Sequence, residues 1–273
     1  MKKCLELHLA DISIEEALFD FIQKQFHFEA ATITPLRGYS NQNYCIKDTD
    51  CREYILRIAR PNRSYASLLA EEHVLQQLKQ NGVANIPVQV HQACDLLSIQ
   101  YKGRRHFIHL FEKIPGEIEG FWWQPCSIPK VQQLFELLAV LHDEMAVAPP
   151  LPGYKPAKYA CQLPAMHSAQ LAKTDTGLYV MRNWALFSKM AYRIQQDMAH
   201  YFPWGQARYQ WIHGDIQLEN VLFESARLTA FLDFELVSWD ACERDVILSA
   251  FRVCKEGKTD APFHYDKARF PII

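Results

Sequence analysis

No stretch of the 273-residue chain is apolar for long enough to cross a membrane. The opening MKKCLELHLADIS carries two lysines but lacks the apolar run of a secretory signal. A basic excess is missing too: 29 Lys and Arg stand against 31 Asp and Glu, for a net charge of -2. That balance argues against nucleic acid as the main partner. Eight cysteines are scattered at positions 4, 45, 51, 94, 126, 161, 242 and 254, and no two of them form C-x-x-C. Their scatter excludes a zinc ribbon and a secreted disulfide framework, and predicts free thiols in a reducing cytosol. Internal repeats and low-complexity tracts are also lacking. What remains is an ordinary globular composition, 49% hydrophobic and 22% charged, with length for two modest domains or one two-lobed one.

Ser13 and Glu16 have capping-box spacing ahead of IEEALFDFIQKQF, which predicts a helix there. ATITPL and NYCIK read as short strands joined through RGYSNQ, and EYILRIA alternates as a third strand. YASLLAEEHVLQQLKQNG predicts a helix closed by Gly82. VQVHQA, LLSIQY and RHFIHLF read as three more strands, the last two joined by a turn at KG. Pro115-Gly116 then breaks the pattern. Beyond it KVQQLFELLAVLHDEM and RNWALFSKMAYRIQQDMAHYF read as long helices, and short apolar strands return only around 209–234. The expected organisation is α+β and two-lobed. Residues 1–111 form a β-rich lobe, 112–116 a hinge, and 117–273 a mainly helical lobe, with a ligand cleft between the lobes.

The segment HGDIQLENVLF, followed by LTAFLDFE, carries the chemistry. NVLF and LTAFLD read as a hairpin that brings Asn220 close to Asp233, and the preceding loop can curl Asp215 over the same point. Three oxygen-bearing side chains so placed suit a small hard cation and the positioning of a hydroxyl in phosphoryl transfer. At these residues the sequence resembles the aminoglycoside phosphotransferase and choline kinase family, which includes type II homoserine kinases and shares the protein-kinase-like fold. The family pattern is H-G-D-x-x-x-x-N, then D-F, then a further Asp. Here it stands as His213-Gly214-Asp215, Asn220, Asp233-Phe234 and Asp245.

The resemblance implies a kinase-like fold with a helical lobe that ends early. The chain stops at Ile273, whereas family members commonly continue through further helices. It implies Asp215 as the catalytic base, Asn220 and Asp233 as magnesium ligands, and ATP as donor to a hydroxyl of a small molecule. GYSNQNY matches the family's nucleotide loop, which puts Ser40 and Asn41 near the phosphates. Arg57 in YILRIAR stands where the family usually has a phosphate-binding Lys. Glu71 is its expected partner, preferred over Glu72 because it shares a helical face with Leu75 and Leu78. HLFEKIPGE resembles the hinge, where the backbone of Glu112 and Ile114 would meet adenine. The resemblance covers roughly residues 30 to 250, with its motifs in the family's order.

Plainer readings stand beside these. Asp215 and Asn220 are also common turn formers, and Arg57 can be an ordinary ion-paired strand residue. Asp245 is expected to hydrogen-bond the catalytic loop, and His142 and His213 to be structural. Glu117, Glu119, Trp122 and Trp123 form an acidic, aromatic cluster past the hinge, readable as packing or as a cradle for a cation. Residues 151–180 hold one Asp and three Lys, which disfavours a polycationic aminoglycoside. The acceptor classes left open are amino alcohols, sugars and aminoglycosides. The rival function is an inactive or truncated kinase-like nucleotide-binding protein. A protein kinase is disfavoured, since nothing after Phe234 resembles an activation segment ending in A-P-E.

Overall fold

The computed structural model describes residues 14–36, 38, 41–61, 63–90, 96–101, 103–121, 124–154, 182–201 and 207–254. Ser13, Ser40, Trp122, Trp123, the 155–181 stretch and the tail past Cys254 lie outside them.

Helix α1 (Ile14–Phe26) precedes strands β1 (Ala30–Leu36), β2 (Gln42–Asp48) and β3 (Glu53–Ile58), then helix α2 (Tyr65–Gln80) and strands β4 (Ser98–Tyr101) and β5 (Arg104–Glu112). The five strands form one antiparallel sheet in the order β1-β2-β3-β5-β4. Of the expected strand VQVHQA, only Val88 to Val90 lie within the described residues, and the rest lies outside them. Val88 to Val90 only run beside β5, with Val90 N–H donating to Leu110 O and Glu112 N–H to Val88 O, both at 2.9 Å. Among the described residues of that stretch, Gln89 forms an isolated bridge with Phe111.

Pleating divides the sheet's side chains between two faces. Leu56 and Ile58 of β3, Tyr44 and Ile46 of β2 and Ile108 and Leu110 of β5 pack with Leu18, Phe21 and Ile22 of α1 in one core. Arg57 and His109 point the other way, opposite each other across β3 and β5. Helix α2 starts at Ser64, whose hydroxyl caps Ser67 N–H, and ends with Gly82 N–H bonded to Lys79 O and Val83 N–H to Leu78 O. Gly82 has φ +77°, the left-handed turn that closes a helix this way and suits glycine.

Helix α3 (Ile128–Ala146) and helix α4 (Trp184–Tyr201) follow, then β6 (Tyr209–Ile212), the hairpin β7 (Val221–Glu224) and β8 (Arg227–Phe231), β9 (Ser238–Ala241) and helix α5 (Cys242–Val253). The predicted helix, hairpin and two-lobed pattern are all present. The apolar face of α2, with Val74, Leu75 and Leu78, joins a second core with Val131, Leu134, Leu138 and Leu141 of α3 and with Trp211, Phe223, Phe231 and Phe234. So α2 follows the sheet in sequence yet packs into the other lobe. Burial of this face brings residues carried by α2 up to the loop that follows β8.

Candidate active site

Gly214 sits at φ +80°, and a Cβ there would meet Leu236 O at 2.4 Å. Only glycine tolerates both conditions at low cost, which accounts for the Gly between His213 and Asp215. The turn is fixed from below by Asp245 near the start of α5. Its Oδ2 accepts from His213 N–H and its Oδ1 from Gly214 N–H, both at 2.9 Å. His142 Nε2 adds a third bond at 3.1 Å. Burial would raise the Asp245 carboxyl, but His142, the nearby His213 ring and Gly214 N–H hold it below its usual range. Its expected structural task is therefore what the geometry displays. His213 is likewise engaged on both nitrogens. Nδ1 accepts from Asp215 N–H at 3.2 Å, so Nε2 carries the proton and donates to Leu232 O at 2.9 Å.

Above that support lies Asp215. Asn220 Nδ2 donates to its Oδ2 at 2.7 Å and to its backbone oxygen at 2.8 Å. Leu232 N–H bonds Asn220 O at 2.7 Å, which ties the residue before Asp233 to Asn220 as the hairpin reading anticipates. Asp233 itself has φ 58° and ψ 67°. A left-handed, non-glycine residue costs about 1–2 kcal/mol, and such strain tends to collect at functional positions. Burial pushes the Asp233 carboxyl above its usual pKa, and Arg57 only partly offsets this.

Arg57 reaches over from β3. Its Nη2 lies 2.5 Å from Glu71 Oε1 and its Nη1 3.4 Å from Asp233 Oδ1, and its guanidinium carbon sits 5.1 Å from the centre of the Phe111 ring. The choice of Glu71 over Glu72 agrees with this contact. Burial works against the charge of Arg57, but Glu71 and Asp233 outweigh it and raise its pKa. Burial alone would raise Glu71 as well, yet Arg57 and Arg63 together bring it down to about 2. His109, buried and facing Arg57, is pushed down to about 3, so it is neutral and accepts through Nδ1 at 3.3 Å from Arg57 Nη2.

Asn41 sits differently from a phosphate ligand. Its Nδ2 meets Glu235 Oε2 at 2.5 Å, and its Oδ1 accepts from Arg60 N–H at 3.0 Å. Both ends of the side chain tie the start of β2 to Arg60 and to the segment after Asp233. At the expected hinge, Glu112 N–H is taken by Val88 O. Past the hinge, Glu119 pairs with Lys130.

Four residues escape the motif-based reading. Arg252 Nη1 lies 2.5 Å from Asp215 Oδ1. Helical spacing offers a signal for it: Arg252 follows Asp245 by seven residues, two turns along one face of α5, and Asp245 was already expected to face the loop. Arg60 pairs with Glu235 at 2.6 Å and Arg63 with Glu71 at 2.6 Å. No periodicity marks these, because Arg60 and Arg63 lie in the irregular connection between β3 and α2. Glu235 follows Asp233-Phe234 directly and carries no motif role of its own.

The oxygens of Asp233 and Asn220 are hard donors of the type magnesium takes, and Arg57 Nε is buried without a hydrogen-bond partner. Among the described residues no three or more His, Cys, Asp or Glu side chains are grouped to hold a metal alone. The arrangement therefore fits a cation that arrives with phosphate oxygens, and does not fit a closed protein-only metal site.

A sequence profile described as "Phosphotransferase enzyme family" matches residues 32–263. No curated protein matches the sequence. Among solved structures, an amicoumacin kinase in complex with AMP-PNP, Ca2+ and amicoumacin is similar with a TM-score of 0.64, at 18% identity over 88% of this chain and 69% of that one. The GDP complex of aminoglycoside 2'-phosphotransferase-IIIa gives 0.60 at 18% identity over 85% and 76%. Macrolide 2'-phosphotransferase MphH from Brachybacterium faecium gives 0.59 at 15% identity over 94% and 80%. At such identities the likeness is one of fold, and the fold is the two-lobed, kinase-like α+β architecture. Among the described residues no helix is long and apolar enough to cross a membrane.

Proposed function

Since the chain belongs to the phosphotransferase enzyme family, we propose that it transfers the terminal phosphoryl group of ATP to a hydroxyl of a small molecule. The observation that carries this reading is the convergence of Asp215, Asn220 and Asp233 beneath Arg57, which lies 3.4 Å from Asp233. Asp215, Asn220 and Asp233 are brought together by one loop and hairpin, but Arg57 comes from a strand of the sheet 176 residues away, and no local fold requirement explains its arrival.

Asp215 holds and accepts the proton of the acceptor hydroxyl. The acceptor oxygen bonds to the transferred phosphorus as the bond to the leaving phosphate breaks. Its carboxylate already accepts from Asn220 at Oδ2 and Arg252 at Oδ1. A carboxylate has about four lone-pair sites, so both contacts orient the base and still leave room for the hydroxyl. Arg57 grips phosphate oxygens with a planar fork. The carbonyl of Glu112 and the backbone of Ile114 receive the base of the nucleotide. A magnesium ion held by Asp233, Asn220 and phosphate oxygens would neutralise charge on the phosphates. Amino alcohols, sugars and hydroxyl-bearing antibiotics are the acceptors to assay.

The test is Asp215→Asn. It is isosteric, so folding and nucleotide affinity should stay close to wild type while turnover falls by about two orders of magnitude or more. Measurement of ADP and phosphorylated product across the acceptor panel reads this out. Near wild-type turnover in the variant would remove Asp215 from the mechanism. Nucleotide binding without product from any acceptor would reject the kinase assignment.

A further inference from the structure

Glu71 has two cationic partners, although one would neutralise it. Arg57 Nη2 lies at Oε1, 2.5 Å away, and Arg63 Nη1 at Oε2, 2.6 Å away. Arg63 is as deeply buried as Glu71, with 1% of each side chain exposed. The same guanidinium donates through Nη2 to the backbone oxygen of Glu235 at 3.1 Å, and through Nε to Ser67 Oγ at 3.2 Å. Glu235 is two residues past Asp233. Its carboxylate is in turn held by Arg60 at 2.6 Å and by Asn41 at 2.5 Å. Three guanidiniums, Arg57, Arg60 and Arg63, thus interleave with three carboxylates, Glu71, Asp233 and Glu235, across the lobe boundary.

This arrangement answers a difficulty within the proposed site. Arg57 is engaged with both Glu71 and Asp233, yet it must turn donors toward phosphate. With Arg57 as its only partner, Glu71 would become a fully buried anion short of charge each time Arg57 turned, which is costly. Arg63 remains on Glu71 throughout, and its grip on Glu235 O fixes the turn that carries Asp233 relative to the helix that carries Glu71.

We propose that Arg63 is a positioning residue for phosphoryl transfer. It is the permanent partner of Glu71, and it couples the phosphate-gripping arginine to the metal-binding turn. The inference rests on the assignment of Arg57 to phosphate and Asp233 to metal. A flexible single ammonium cannot span Glu71 and Glu235 O as the planar guanidinium does. Lysine at this position should therefore restore charge balance and lose the coupling.

The experiment compares the wild type with Arg63→Lys, Arg63→Ala and the remote core variant Leu134→Ala. Each is tested for melting temperature, for binding of AMP-PNP with and without magnesium by calorimetry, and for kcat and KM. Arg63→Ala should lower kcat and lose about tenfold of the magnesium-dependent gain in AMP-PNP affinity, a loss within the range of coupling between contacting residues. Arg63→Lys should recover most of the melting temperature and little of the magnesium gain. Leu134→Ala should lower the melting temperature alone. If both Arg63 variants melt lower but retain wild-type magnesium dependence, kcat and KM once folded, Arg63 is only a structural ion pair and the proposal falls. A wild type that binds magnesium and AMP-PNP but phosphorylates no acceptor would reject the kinase function, and the binding arm would still decide the role of Arg63. A wild type whose AMP-PNP affinity ignores magnesium would overturn both.

Discussion

Two carboxylates are wholly buried on opposite sides of the cleft, and they are stabilised by different means. Glu71, on the helix that follows the third strand, lies between the guanidiniums of Arg57 and Arg63. Asp245, near the start of the last described helix, receives two backbone N–H groups and a histidine. The first acid is balanced by full charges on two side chains, of which Arg57 is the one proposed to change partners. The second is held by donors fixed in the chain, and it fixes them in return. The difference matches the tasks of the two sides. In the proposed function the loop has to hold Asp215 still, whereas the arginine side has to release a cation toward phosphate and recover it afterwards.

The strongest way to break this contrast is to remove Glu71. Glu71→Ala leaves two buried arginines without their anion, and breaking a buried ion pair costs about 3–5 kcal/mol. A denaturant melt should show that loss, along with weaker nucleotide binding. Asp245→Asn is the matching change on the other side. The amide keeps the shape and one acceptor, but its NH2 group faces donors. About 1–3 kcal/mol should be lost, less than for Glu71→Ala, and turnover should fall because the Asp215 loop loosens. If Asp245→Asn proved the more damaging to stability, fixed neutral donors would outweigh mobile charges here, and the contrast would have to be inverted.

A smaller effect sharpens the comparison by pH. His109 lies against the arginine network with its pKa pushed from 6.5 to about 3. Below pH 6.5 the unfolded chain takes up a proton that the folded chain refuses. Stability from this residue is therefore complete above pH 6.5 and is lost as pH falls toward 3, at a limiting slope of about 1.4 kcal/mol per pH unit. His109→Gln should flatten the acid limb of stability against pH by roughly one proton. An unchanged slope would mean that His109 is protonated in the folded protein, and that the network beside it carries one positive charge more than the geometry implies.

Much of the site is legible in the order of short motifs. Asp215, Asn220 and Asp233 are carried by a loop and a two-stranded hairpin, and such local geometry follows from close spacing in the chain. Glu71 is legible for a related reason, because helical periodicity assigns it to the face of Leu75 and Leu78. Where the reading fell short, partners were remote. Asn41 has the chemistry of a phosphate contact, while its side chain is held by Glu235, 194 residues away.

The sequence alone determined the period of most elements, the hairpin that joins Asn220 to the residue before Asp233, and the choice of Glu71 as the partner of Arg57. These properties depend on neighbours within a few turns or one hairpin. Tertiary structure decided which cation serves which carboxylate. Arg252 reaches Asp215, Arg60 reaches Glu235 and Arg63 reaches both Glu71 and the turn beyond Asp233. Any of these arginines could neutralise any of these acids in isolation. The packing of α2 against the turn after Asp233 sets the Arg63 distances and that of α5 beneath the Asp215 loop sets the Arg252 distance, and at contact range inside a protein a few ångströms decide which charges are partners.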